Sequence, residues 1–174
     1  GSIITTCGYA TTDFDLWPET SKMILVLLMF IGACAGSTGG GFKISRLLIL
    51  CKAIPKQLSL VIHPREVKVI RMDGKPIDHN TLRSTNVYLA IYFFILLVST
   101  LLISVDNFNL TTNFTAVAST LNNIGPGLDG VGPTRNFGMY SDFSKFVLMF
   151  DMLAGRLELY PLLILFMPSL WRRK

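Results

Sequence analysis

The sequence predicts an all-α membrane protein built on an internal helical repeat, with one small β-hairpin outside the membrane. Three observations carry this. Of the 174 residues, 51% are hydrophobic and only 16% charged, with a mean hydropathy of +0.50. A soluble domain carries about 25% charged residues. Two stretches of membrane-spanning length contain no charge, and two segments of the chain repeat one another. Three cysteines, Cys7, Cys34 and Cys51, show no paired spacing, so no disulfide framework or zinc site is implied. The chain begins Gly1-Ser2 without an initiator Met, and a piece of a longer protein is expected.

The elements follow in order. Met23 to Phe42 is uncharged over 20 residues and Thr85 to Val105 over 21. About 20 residues cross a bilayer as a helix. A third run, Phe146 to Met167, is long enough but holds Asp151, Arg156 and Glu158. Charges at bilayer depth cost at least ~2.5 kcal/mol each and face a bundle interior or a water path. The third helix is therefore expected to face protein or pore.

Charge then orients the chain. Lys43, Arg46, Lys52, Lys56, Arg65, Lys68, Arg71, Lys75 and Arg83 lie between the first two runs, and the chain ends 171-WRRK-174. The other connections are acidic, with Asp13, Asp15, Glu19, Asp106, Asp129 and Asp142. The positive-inside rule places 43–83 and the C-terminus in the cytoplasm. Topology accounts for the basic residues, so no nucleic-acid partner is expected. Within the loop, 66-EVKVIRMDGKPID-78 alternates apolar residues around Asp73-Gly74, a hairpin signal. His63 and His79 have no partner at ligand spacing.

The repeat aligns 21-SKMILVLLMFIG-32 with 144-SKFVLMFDMLAG-155 without a gap. A glycine turn precedes each copy: 6-TCGY-9 and 123-NIGPG-127. The spacing from turn to Ser-Lys differs by six residues. In the second copy a short helix, Phe114 to Leu121 capped by Asn113, leads into the turn. Asn109 and Asn113 also fit the glycosylation pattern, a match read as chance. Non-helical backbone at membrane depth is tolerated where it is buried in protein or lines water. A short re-entrant helix ending in an uncharged turn points its negative C-terminal end into the membrane and frees a run of carbonyls. Four such runs around an axis can replace the hydration shell of K⁺. Gly8 and Gly125 keep the central glycine of the potassium-channel filter TVGYG, and the remainder is degenerate. The alternative is that both turns are plain connectors.

Further on, 36-GSTGGG-41 places four glycines in six residues inside the first apolar span. At roughly 1 kcal/mol per glycine, this is expected to break the helix begun at Met23. A phosphate loop is excluded, because Gly41-Phe42-Lys43-Ile44 lacks the required Gly-Lys-Ser/Thr.

Four motifs in order, 5-TTCGYATTDF-14, 33-ACAGSTGGGFKISR-46, 121-LNNIGPGL-128 and 153-LAGRLELYPLLILFMPSLW-171, resemble the Trk/Ktr/HKT superfamily of potassium transporters, and within it the bacterial Trk-type pore subunits. The resemblance covers essentially the whole chain. It implies four fused, potassium-channel-like helix–pore-loop–helix repeats around a central pore. Residues 1–54 would then close the third repeat, 55–84 form a cytosolic loop with the hairpin, and 85–174 make the fourth repeat. It assigns potassium-binding filter carbonyls to Thr6, Cys7 and Gly8 and to Asn123, Ile124 and Gly125, with K⁺ held chiefly at Thr6, Cys7, Asn123 and Ile124. It makes Gly36, Ser37, Thr38, Gly39, Gly40 and Gly41 an intramembrane gating loop and Arg156 a pore-facing barrier. From the residues alone, Arg156 could instead pair with Asp151 or Glu158.

The resulting expectation is a non-enzymatic K⁺ uptake path across a bacterial inner membrane. K⁺/Na⁺ or K⁺/H⁺ symport through the same filter, or a non-conducting scaffold subunit, are the alternatives. K⁺ is the cargo, with no further cofactor. Expected partners are the lipid bilayer, the upstream repeats, a second copy in a homodimer and a cytosolic nucleotide-binding regulatory ring.

Overall fold

The computed structural model describes residues 1–32, 34, 37, 39–63, 70–72 and 75–156. Five helices make the framework: α1 Glu19–Ile31, α2 Ile44–Ile62, α3 His79–Ile103, α4 Leu110–Leu121 and α5 Asp142–Arg156. Strands β1, Arg71–Met72, and β2, Lys75–Pro76, pair antiparallel with Arg71 opposite Pro76 and Met72 opposite Lys75. The expected Asp73-Gly74 turn between them lies outside the described residues.

Among the described residues, one helical segment is long and apolar enough to cross a membrane, the 27 residues Asn80–Asp106. It is poor in breakers and rich in Leu, Ile and Phe. Only 28% of its most apolar window is buried inside the chain, so most of this surface is left for an apolar surrounding. Its inward stripe, Tyr88, Tyr92, Leu96 and Ile103, repeats at helical spacing and meets Ala116, Val117 and Leu121 of α4 and Val147, Leu148 and Ala154 of α5. These residues form the core.

α4 differs from the others. Every residue from Thr115 to Leu121 is buried, polar ones included. Thr115, Ser119 and Thr120 satisfy their hydroxyls by donating back to carbonyls of their own helix. At 12 residues, about 18 Å, it is too short to span ~30 Å of hydrocarbon. It begins at Leu110, earlier than expected, and its N-cap residue is Asn109. Asn113 is not the cap. Its amide lies inside the first turns, donating to the Phe108 carbonyl at 3.3 Å and accepting from the Tyr140 hydroxyl at 2.9 Å.

Two further features sharpen the expectations. The first apolar run does not continue as one helix, and its helix ends ahead of the glycine stretch. α1 stops at Ile31, because Gly32 takes φ +68°, and the chain regains helix only at Ile44. The basic stretch after Lys43 carries the 19-residue α2, which contains Pro55. Its Leu47, Ile49 and Leu50 turn inward while most of its basic residues stay outside the core.

The two copies share their helix starts. α1 begins at Glu19 and α5 at Asp142, and each first turn closes an i,i+3 ion pair, Lys22–Glu19 at 3.1 Å and Lys145–Asp142 at 3.4 Å. An acidic residue at a helix N-terminus also favours the dipole.

Candidate functional site

The two glycine turns adopt the same backbone. Thr6 and Gly8 have φ of +55° and +78°, and Asn123 and Gly125 have +55° and +110°. Cys7 and Ile124, between them, have negative φ. Alternating hand sends successive N–H groups to one side and the carbonyls to the other. Among the described residues, no hydrogen bond ends on the carbonyl oxygens of Thr6, Cys7, Gly8, Asn123, Ile124 or Gly125. Their N–H groups are held from behind. Thr6 N–H donates to Ile3 O, Cys7 and Gly8 N–H to Ser2 O, Asn123 N–H to Thr120 O and Ile124 N–H to Ser119 O.

The structure brings the turns together. The Ile124 carbonyl oxygen occupies the place where a Gly8 Cβ would stand, with Pro126 Cδ 3.3 Å from it. The Ile124 side chain is buried with Ile3 and Met29, so it pins the second turn to the first copy. Cys7 is exposed; Thr6, Gly8, Asn123 and Gly125 are half-buried. The Asn123 side chain turns away and donates to the Met152 carbonyl of α5 at 3.2 Å.

Beyond the turns the chain is tied back. Leu128 N–H donates to Thr115 Oγ1 at 3.0 Å and Gly127 N–H to Val131 O at 2.7 Å. A 3₁₀ turn follows in each copy, Phe14–Leu16 and Asp129–Val131. They meet where Asp129 N–H donates to Asp15 Oδ1 at 2.9 Å, and Thr112 Oγ1 donates to Asp129 Oδ2 at 2.7 Å. Asp13, Asp15, Glu19 and Asp129 border a cavity of about 450 Å³ that Lys22 and Arg135 also line.

Gly40 and Gly41 reach the base of the second turn. A Cβ on Gly40 would stand 2.7 Å from the Asn122 carbonyl oxygen, and one on Gly41 2.7 Å from Asn122 Oδ1. Gly40 and Gly41 are buried; Ser37 and Gly39 are half-buried, and Gly36 and Thr38 lie outside the described residues. Gly155 of α5 packs on the Leu121 carbonyl, so Arg156 stands one residue from the end of α4 with an exposed side chain. The alternative of a pair with Asp151 is not seen for that carboxylate, whose Oδ1 accepts from Ser99 at 2.7 Å. Glu158 lies outside the described residues.

Sequence reasoning missed Asn122 and Tyr92. The Tyr92 hydroxyl donates to Asn122 Oδ1 at 2.9 Å, and both residues are buried. A polar Asn-Asn doublet between an apolar helix and a turn was the available signal.

The described residues are mostly helical, hold two main-chain turns in contact, and include one segment of membrane-crossing length. The family model described as TrkH, cation transport protein, matches residues 2–173, and the chain belongs to this family. It is 40% identical over 98% of its length to the Trk system potassium uptake protein TrkH of Vibrio parahaemolyticus, and 33% identical over 98% to TrkG of Escherichia coli. It superposes on the crystal structure of the potassium transporter TrkH from Vibrio parahaemolyticus with a TM-score of 0.87 at 39% identity, covering 98% of this chain and 36% of that one. The chain thus spans about a third, 35%, of the length of the curated relatives it matches.

Proposed function

We propose that this chain supplies the end of the third repeat and the whole of the fourth in a bacterial inner-membrane K⁺ uptake protein. Thr6, Cys7 and Gly8, with Asn123, Ile124 and Gly125, form two of the four walls of a carbonyl-lined filter. The observation that carries this reading is the meeting of two turns of like backbone whose carbonyls accept no hydrogen bond among the described residues. An ion sheds its water only where oxygens are free to replace it. Matched relatives that bear the name potassium uptake protein support K⁺ as the cargo.

The glycine stretch 36–41 is the gate in this reading, and its Gly40 and Gly41 lie against Asn122, next to the second turn. Arg156 adds a positive barrier beside it. The basic segment 43–83 and the C-terminus are cytoplasmic, the acidic loops external. The whole protein works as a homodimer on a cytosolic nucleotide-binding ring. The test is Gly8→Ser and Gly125→Ser in the full-length protein in liposomes. Positive φ at both positions strains any L side chain, and both substitutions are expected to lower the K⁺/Na⁺ permeability ratio. Unchanged ratios in both sink the filter assignment.

A further inference from the structure

We propose that Asn122 is the joint through which Gly40 and Gly41 set the second turn, and that the Tyr92 hydroxyl is the positioning group that holds it. The inference rests on the filter reading above and names its regulation. Asn122 is fully buried and stands immediately before the turn, at the C-terminal end of α4. Three other parts of the site converge on it. Its Nδ2 donates to the Ala118 carbonyl within α4 at 2.7 Å. Its Oδ1 accepts from Tyr92 on α3 at 2.9 Å. Its main-chain oxygen borders Gly40 and its Oδ1 borders Gly41, each 2.7 Å from where a Cβ would stand.

Tyr92 is gripped from the same side. Phe42, the residue after the stretch, packs on its ring at 6.1 Å between centroids, and Phe30 at the end of α1 meets it edge-on at 6.4 Å. A shift of residues 40–42 therefore presses on Asn122 twice, by contact and through the Tyr92 ring. An amide bonded at both ends in a dry site passes the displacement to Asn123; a loose one rotates and absorbs it. Because no side chain fits at Gly40 or Gly41, the backbone itself makes the contact. This gives a route by which gate position alters filter shape.

The test uses the full-length protein in liposomes with ⁸⁶Rb⁺ flux and K⁺/Na⁺ permeability ratios. Tyr92→Phe removes the hydroxyl and keeps the ring. It is expected to lower the ratio roughly two- to tenfold, the range one neutral hydrogen bond supplies, with a lowered melting temperature because the buried Asn122 Oδ1 loses its donor. Gly41→Ala lowers the ratio on its own, and its effect shrinks when combined with Tyr92→Phe. An unchanged ratio in Tyr92→Phe, or effects that multiply independently, overturns the joint. Where Gly41→Ala does not assemble, Tyr92→Phe alone decides. Failure of the filter reading is separate: Gly125→Ser then leaves the ratio unaltered, and the joint falls with it.

Discussion

Gly155→Ala probes the contact that sets α5 against the base of the second turn. A methyl there collides with the Leu121 carbonyl oxygen and stands 2.8 Å from its carbon and 2.7 Å from Asn123 Nδ2. Carbon atoms in contact rest at about 3.5–4.0 Å, so α4 and α5 must part by roughly 0.7 Å or more at this level. Overpacking a filled core costs about 1–3 kcal/mol. The separation also stretches the 3.2 Å bond from Asn123 Nδ2 to Met152 O, which contributes about 0.5–1.5 kcal/mol. Against this, alanine is favoured over glycine inside a helix by about 1 kcal/mol. The core terms win, and the variant is expected to lose about 1–3 kcal/mol in all. A thermal melt of the full-length protein in detergent measures it, with the K⁺/Na⁺ ratio on the same sample. Melting at or above the wild-type temperature refutes the packing argument, since only the helical preference would then be felt.

Three other substitutions separate packing from conduction. Ser99→Ala strips the donor from Asp151, which is fully buried and whose Oδ2 has no partner among the described residues. A loss of about 1–3 kcal/mol is expected, and an unshifted melt counts against it. Asp15→Ala frees the Asp129 amide; its hydrogen exchange should accelerate while the helices keep their protection, and unchanged exchange at Asp129 contradicts the tie between copies. Arg156→Ala removes an exposed side chain, so stability should hold. On the barrier reading cation flux rises, because a fixed charge ~4 Å from a passing ion costs about 4 kcal/mol at an effective dielectric of 20; unaltered flux removes Arg156 from the gate.

What the sequence made legible had local causes. Thr85 to Val105 reads as a helix because it lacks charge and breakers. The turns read as turns because Gly8 and Gly125 sit amid uncharged residues. α2 escaped notice because Lys43, Arg46, Lys52 and Lys56 alternate with its apolar residues and Pro55 interrupts it; the inward face of Leu47, Ile49 and Leu50 was the quieter signal. Asn113 was misread as a cap because the residue that claims its carbonyl oxygen, Tyr140, lies 27 positions away. The clamp of Tyr92 on Asn122 spans 30 positions and is invisible for the same reason. Long-range polar pairs between buried groups leave no periodicity to read.

The repeat glycines show how one unit takes two forms. Gly32 and Gly155 occupy matching places, thirteen residues into α1 and α5 by the shared register of Glu19 and Asp142. Gly155 is helical and lets α5 lie on the Leu121 carbonyl. Gly32 turns to φ +68° and ends α1, with Lys43 N only 3.1 Å from where its Cβ would stand, so the chain returns to the helix end it has just left. The residues that follow explain the choice. After Gly155 come Arg156, Leu157 and Glu158, all favourable in a helix. After Gly32 come Gly36, Gly39, Gly40 and Gly41, each costing about 1 kcal/mol in a helix. Continuing α1 would therefore cost several kcal/mol and would carry Gly40 and Gly41 away from Asn122. Breaking it brings bare backbone against Asn122, where a side chain has no room.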